Sequence, residues 1–395
     1  MADHLKRKLG LGLLTAYGVG IMVGAGIYVL VGAAAGEAGV WAPVSFLLAA
    51  LVAVPTALSF AELSARIPEA AGDSSYVEVG LNKHWLALVV GAINVGAGTF
   101  AASAVLRGGV GYLTSITPIP FEAGIILLGI LLTAIAVIGV VESLGFAAVL
   151  TVIEVVGLVL VIWAGFGAEP VEGWINPPTP YWPGIFAASI FAFFAFIGFD
   201  DLVNMAEEAK NPGFTMPASI LISLAITAAL YALVSMAAVR AVPQEALAVS
   251  ERPLALVWET ARGQSAAFLS AIAVAAALNG VLAQIVMAAR VLFGLGRRSP
   301  SLAMFHHAHP RFGTPVRASI LIGAAVVAGA LLLPVAALAE LTSVALLAVF
   351  AIVNTALIAL KRKAPEAPFK VWTIVPWFGL LACLAAFAAA LGQLL

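Results

Sequence analysis

The sequence predicts an all-α polytopic membrane protein with about eleven transmembrane helices, and three observations predict it. Of 395 residues, 63% are apolar before any of the 37 glycines are counted, and 10% are charged, against about 25% in a soluble domain. Apolar runs long enough to cross a bilayer, about 20 residues each, recur along the whole chain. Lysine and arginine gather on alternate connections between those runs. The same composition excludes a soluble globule, a disulfide scaffold, a disordered chain and a nucleic-acid binder. With 19 basic against 20 acidic residues no polyanionic partner is implied, and the single cysteine, Cys383, forms no internal disulfide.

Taken in order, the spans cover roughly 9–35, 40–66, 83–113, 121–141, 146–167, 182–209, 215–240, 264–296, 316–334, 338–360 and 371–394, each bounded by polar or Pro/Gly-rich breaks. The third and eighth are long enough to tilt or project. Transmembrane β-strands would instead alternate over segments of about 10 residues. The first run is too long for a cleavable signal and follows Lys6-Arg7-Lys8 directly, so it reads as a span. The stretch Val242–Ser250, between spans seven and eight, reads as a short amphipathic re-entrant or surface helix. Of the nineteen Lys and Arg residues, fourteen lie on the N-terminal side of the membrane, three (Arg240, Arg252 and Arg262) on the other, and Arg107 and Arg290 inside spans. The positive-inside rule then places the N-terminus in the cytoplasm of a cell with this protein in its inner membrane, and an odd span count places the C-terminus outside.

Two spans carry interruptions. In the first, Gly18-Val-Gly-Ile-Met-Val-Gly-Ala-Gly26 sets four glycines in nine residues about halfway across. In the sixth, Phe196-Ile-Gly-Phe-Asp-Asp201 sets a glycine and two acids at similar depth. A carboxylate facing lipid there costs at least about 2.5–3.5 kcal/mol, so it faces protein, water or unpaired backbone. Glycine pairs such as Gly20 and Gly24 also permit close helix packing. For the first span alone both packing and unwinding stand open; a second interruption five spans later favours unwinding. Interrupted spans at matching positions of two halves mark an inverted-repeat transporter with its site at the midplane. Residues 9–167 and 182–360 are the two expected repeats of five helices, with 371–394 as an additional helix.

Direction then sets the chemistry. The outer half of span one begins at its break, so the N–H groups of Ala25, Gly26 and Ile27 face the gap and suit a carboxylate. The outer half of span six ends at its break, so carbonyls near Phe194, Ala195 and Ile197 suit an ammonium. An anion site beside a cation site describes the two ends of an α-amino acid.

These residues resemble the amino acid–polyamine–organocation superfamily. Gly18 to Tyr28 is similar to its first-helix signature. Phe193-Phe-Ala-Phe-Ile-Gly-Phe-Asp200, followed by Ala206-Glu-Glu-Ala-Lys-Asn-Pro212, is similar to its sixth helix and the loop after it. Arg290 to Arg298 and then Phe312-Gly-Thr-Pro315 resemble the end of helix 8 and its loop. The resemblance spans residues 9–360 and is closest to bacterial permeases and cationic amino acid transporters. It implies the leucine-transporter-type 5+5 inverted repeat and secondary transport of amino acids by alternating access. It also implies substrate-backbone contacts at Met22, Val23, Gly24, Ala25, Gly26, Phe194, Ala195 and Ile197. Many members have twelve helices where eleven are read here. Helix 3 of the cationic transporters carries a Glu-Tyr pair where this chain has Ala97-Gly98, which implies a neutral substrate whose apolar or aromatic side chain occupies the space beside Gly96, Ala97 and Gly98.

Glu154 stands in the fifth span where many relatives carry a lysine in place of a second sodium site. An intramembrane carboxyl is a natural proton relay, so Glu154 is the expected coupling residue, with a purely structural glutamate as the other reading. Asp200 and Asp201 open the inner half of span six as gating or helix-capping residues. Arg107 and Arg290 are placed to snorkel, Asn279 to hydrogen-bond across the bundle, and His306, His307 and His309 lie in a polar loop without acids or cysteines, so no metal site is read there. No cofactor is expected. The expected driving ion is the proton, with sodium open, although span eight around Ala271–Gln284 lacks an adjacent Ser/Thr pair. Amino acid exchange and cationic amino acid or polyamine transport stand as alternatives. A membrane enzyme is disfavoured, since the chain has no His-Glu-x-x-His or Gly-x-Ser-x-Gly. The expected partners are an amino acid substrate and the lipid bilayer, with no nucleic acid and the oligomeric state open.

Overall fold

The structure is a computed structural model that describes residues 9–24, 26–68, 72–138 and 144–394. Span one is two helices, α1 (Leu11–Val23) and α2 (Gly26–Ala38), and span two is α3 (Ala42–Arg66). A short helix, α4 (Gly72–Leu81), leads into spans three to five, α5 (His84–Thr114), α6 (Phe121–Ile138) and α7 (Leu144–Gly167). After one turn, α8 (Glu172–Ile175), span six runs as α9 (Trp182–Phe194) and α10 (Phe199–Leu202), and span seven is α11 (Pro212–Ala241). Two short helices, α12 (Gln244–Ala248) and α13 (Pro253–Arg262), precede spans eight to eleven: α14 (Ala267–Arg298), α15 (Val316–Leu332), α16 (Val335–Lys363) and α17 (Ile374–Leu394). Among the described residues there is no strand; a single backbone bridge pairs Leu9 with Ala209. The protein is an all-α polytopic membrane protein, as the hydropathy pattern requires.

Local chemistry starts and stops these helices. Proline at the first turn of α3, α9, α11 and α13 supplies a pre-set φ where its missing N–H leaves nothing unpaired. Gly263, at φ 63°, closes α13 in the left-handed conformation. Three parts of the expected outline differ. The connection after span two contains α4, and the connection between spans seven and eight contains α13 beyond the expected 242–250 helix; both are ten residues long and too short and polar to register as spans. The inner half of span six is one α-turn continuing as 3₁₀-helix over Val203–Glu208, not a straight run to residue 209. Arg107 does not snorkel outward. Its guanidinium donates to the Ala330 carbonyl at 2.7 Å, in the last turn of α15, and lies 5.0 Å from the centre of the Phe121 ring.

The apolar core has two parts. The larger gathers α1, α2, α3, α9, α10, α11, α16 and α17 around Phe60, Phe196, Phe199 and Phe350. The smaller joins α5, α6, α14 and α15 through residues such as Leu106, Leu132, Ile285 and Val326. Polar contacts lock the last span onto the first part: Asn354 of α16 donates to Thr56 of α3 at 2.9 Å and accepts from Ser59 at 2.7 Å, and Thr56 also contacts Cys383 of α17 at 3.4 Å.

A buried ion cluster fastens the same edge. Glu62 of α3 is fully buried; its carboxylate meets Arg66 at 2.6 Å and Lys361 at 2.6 Å and accepts the Val371 N–H at 2.8 Å. The surplus positive charge is spread over carbonyls, Lys361 donating to Val371 and Arg66 to Ala364 and Glu366. Removing the one anion leaves two buried cations without a counter-charge, which costs about 3–5 kcal/mol. Glu62→Ala is therefore expected to lower the melting temperature of the detergent-purified protein sharply, and Glu62→Gln, which keeps the acceptor oxygen, to lower it less.

Candidate functional site

The two interruptions are built differently. Span one breaks at Gly24, whose backbone (φ 26°, ψ −156°) leaves the helix while its N–H still bonds the Gly20 carbonyl at 3.0 Å; the helix resumes at Gly26. Ala25 lies outside the described residues. Span six tightens before it breaks: Ala195, Phe196 and Ile197 each bond the carbonyl three residues back, and Gly198, at φ 131°, turns the chain into α10. A β-carbon at Gly198 would fall 2.5 Å from Ile21 Cγ2 and 3.2 Å from the Met22 nitrogen, so only glycine lets the two breaks touch there. On the other side of the contact, a β-carbon at Gly26 would meet the Phe194 ring at 3.6 Å and Ala195 Cα at 3.7 Å.

The first N–H groups of α2, on Gly26 and Ile27, therefore stand beside the last turn of α9. Opposite half-dipoles meet at this junction, as the direction of the two spans demands. The carbonyls are less free than the sequence suggests. That of Phe194 already accepts the Ile197 N–H at 3.1 Å, and the hydroxyl of Tyr231, from α11, shares its one proton between the carbonyls of Met22 (2.5 Å) and Ala195 (2.9 Å). Buried main-chain acceptors find donors, and here a tyrosine ties one break to the other. Sequence reasoning missed Tyr231; the signal available was a phenol at mid-span, whose hydroxyl must find a partner once buried.

Behind this junction Tyr112 donates to the Tyr28 carbonyl at 2.6 Å, and Tyr28 donates to the main-chain carbonyl of Glu154 at 3.0 Å. Glu154 is 3% exposed, and its Oε2 has no hydrogen-bond partner among the described residues.

A partly open cavity lined by residues of α4, α5, α10, α14 and α16 adjoins the span-six break. The expected site residues divide around it. Ala97, Gly98, Ile197, Asp200 and Asp201 line it, whereas Met22, Val23, Ile27, Phe194 and Ala195 are packed in the junction and do not. Gly24 and Gly26 are likewise absent from its wall. Gly98 leaves less room than expected, because the Gln284 side-chain oxygen from α14 would stand 3.1 Å from a β-carbon there. Asp200 is not the N-cap of α10; Gly198 is, and Asp200 reaches back to accept its N–H at 2.9 Å. Asp201 accepts from Gln284 at 3.1 Å. The remaining polar lining, including Asp73, Asn94, Asn204 and Thr342, comes from elements whose convergence no single span announces. Among the described residues no group of three His, Cys, Asp or Glu is placed to hold a metal ion.

Known proteins show which family the chain falls in. The family profile described as amino acid permease matches residues 9–394. The chain is 30% identical to a methylthioribose transporter of Bacillus subtilis over 86% of its own length and 78% of that protein. It is 29% identical to the branched-chain amino acid permease BcaP of the same organism, over 96% of its length and 87% of that protein. It is 32% identical to the vacuolar cationic amino acid transporter 4 of Arabidopsis thaliana, over 82% of its length and 58% of that protein.

The two glycines at the junction give opposite expectations. Gly198→Ala adds a clash and holds a side chain at a φ that costs about 1–3 kcal/mol, and it is expected to lower thermal stability and abolish transport. Gly26→Ala meets only ordinary contacts and is expected to leave the melting temperature within a degree or two while weakening substrate binding, as read by ligand-induced thermal shift.

Proposed function

Because the chain belongs to the amino acid permease family of the amino acid–polyamine–organocation superfamily, we propose that it carries α-amino acids across the inner membrane by alternating access, driven by protons, with its N-terminus in the cytoplasm. That it is a multi-pass amino acid permease and not an enzyme follows from the family. The observation that carries the finer reading is the meeting of the two breaks, with Gly26 in van der Waals reach of Ala195. The N-terminus of α2 takes the substrate carboxylate and the C-terminus of α9 its ammonium. In the arrangement described, the Tyr231 hydroxyl occupies acceptors that an ammonium would use, so substrate entry exchanges one donor for another. Residues 9–167 and 182–360 act as the two inverted repeats around this junction.

Glu154 is the proposed proton carrier. Its buried, unpartnered oxygen and the hydrogen bond its main-chain carbonyl accepts from Tyr28 of α2 support this role. For the substrate side chain, Ala97-Gly98 argues only that α5 contributes no acid. The relatives are named for methylthioribose, branched-chain amino acids and cationic amino acids, so their names favour no single class.

In proteoliposomes under an imposed pH gradient, Glu154→Gln is expected to let substrate equilibrate and exchange but not accumulate above its external concentration. Undiminished gradient-driven accumulation would remove Glu154 from the coupling. Replacing external sodium by choline is expected to leave wild-type uptake unchanged.

A further inference from the structure

The cavity beside the span-six break holds three carboxylates from two elements: Asp73 in the first turn of α4, and Asp200 and Asp201 on α10. Each is within electrostatic reach of the others. Part of their bonding is local. Asp200 holds the Gly198 N–H, Asp201 accepts from Gln284, and Asp73 Oδ2 accepts from Asn94 at 2.9 Å while its charge favours the start of α4.

What remains is of one sign. Asp73 is 6% exposed and its Oδ1 has no hydrogen-bond partner among the described residues; the buried Oδ1 of Asn94 has none either. Among the described residues no Lys, Arg or His lines the cavity. Burial with no counter-charge pushes the Asp73 carboxyl above its ordinary range, so its ionised form is costly there, and buried acceptors without donors add to the cost. A ligand that relieves both brings positive charge and several N–H donors. A bare metal ion does not match, since its oxygens must converge to about 2.0–2.6 Å and no such group of three acids occurs among the described residues. The acids are instead spread over a cavity whose other wall is apolar, with Ala97, Ala101, Met287, Val291 and Leu346. A hydrocarbon stem with an ammonium or guanidinium head fits that division.

We propose that Asp73 and Asp201 form a subsite for a positively charged side-chain head, so that the permease takes amino acids carrying a second cationic group. The inference rests on the amino acid reading above and names its substrate class. It replaces the neutral side chain implied by Ala97-Gly98: α5 supplies small residues that leave room, and the counter-charge arrives from α4 and α10 in the same cavity.

The test compares arginine with citrulline, its uncharged near-isostere, and with leucine and agmatine, by calorimetric binding to the purified full-length protein. Wild type is expected to bind arginine at least about tenfold tighter than citrulline, and Asp73→Asn and Asp201→Asn are each expected to weaken arginine about tenfold while leaving leucine unchanged. Equal binding of arginine and citrulline overturns the subsite, and so does arginine binding untouched in both variants. The first comparison needs no variant to fold. If leucine and citrulline bind while arginine does not, the subsite falls and the amino acid reading stands. If agmatine, which lacks the carboxylate, binds as tightly as arginine, the cationic subsite stands and the carboxylate grip falls. Failure of every amino acid to bind removes both.

Discussion

A main chain opened in the middle of a bilayer has no water to satisfy its polar groups, and this constraint organises the rest of the protein. Two spans open it, and they do so against each other. Tyr231 supplies a donor to a carbonyl on each side, Asp200 folds back onto the N–H of Gly198, and Gly198 allows an approach that any side chain would block. Each of these is a local repair to an interruption. Together they hold helix ends of opposite polarity within contact distance, which is what a zwitterion requires.

The two-part core gives the junction its setting. Spans one, two, six and seven lie in the larger part, spans four and nine in the smaller, and spans three and eight contribute to both. The cavity takes its lining from both, with Ala97, Ala101 and Leu346 from the larger part and Ala288 from the smaller, so it lies on the seam between them. The heavily fastened edge, where Glu62 gathers Arg66, Lys361 and the Val371 N–H, is a separate site in the larger part. Rigid fastening and an open seam occupy different places in the molecule.

The spans and both interruptions were legible in the sequence because hydropathy and glycine spacing are local signals. The short helices α4 and α13 were not, since ten polar-to-mixed residues carry no span signal and end where tertiary contacts allow. Direction along each span set the polarity of the two facing helix ends, but nothing local revealed that Tyr231, from another span, sits against two of the carbonyls. The charge of the cavity was the least legible feature. The reading of α5 found small residues where an acid was sought; Asp73 and Asp201 reach the same cavity from helices distant in sequence, and only their convergence shows it.

The chain just before α1 is joined to the end of span six by two main-chain bonds, Leu9 N–H to Glu208 at 3.0 Å and Lys210 N–H to the Leu9 carbonyl at 2.8 Å. This is a miniature strand pairing, one rung long, in an otherwise helical molecule. A swing of α1 away from the body would break both bonds together unless the end of span six travelled with it. The lower limbs of the two kinked spans are thus yoked, and their natural motion is that of a single lever.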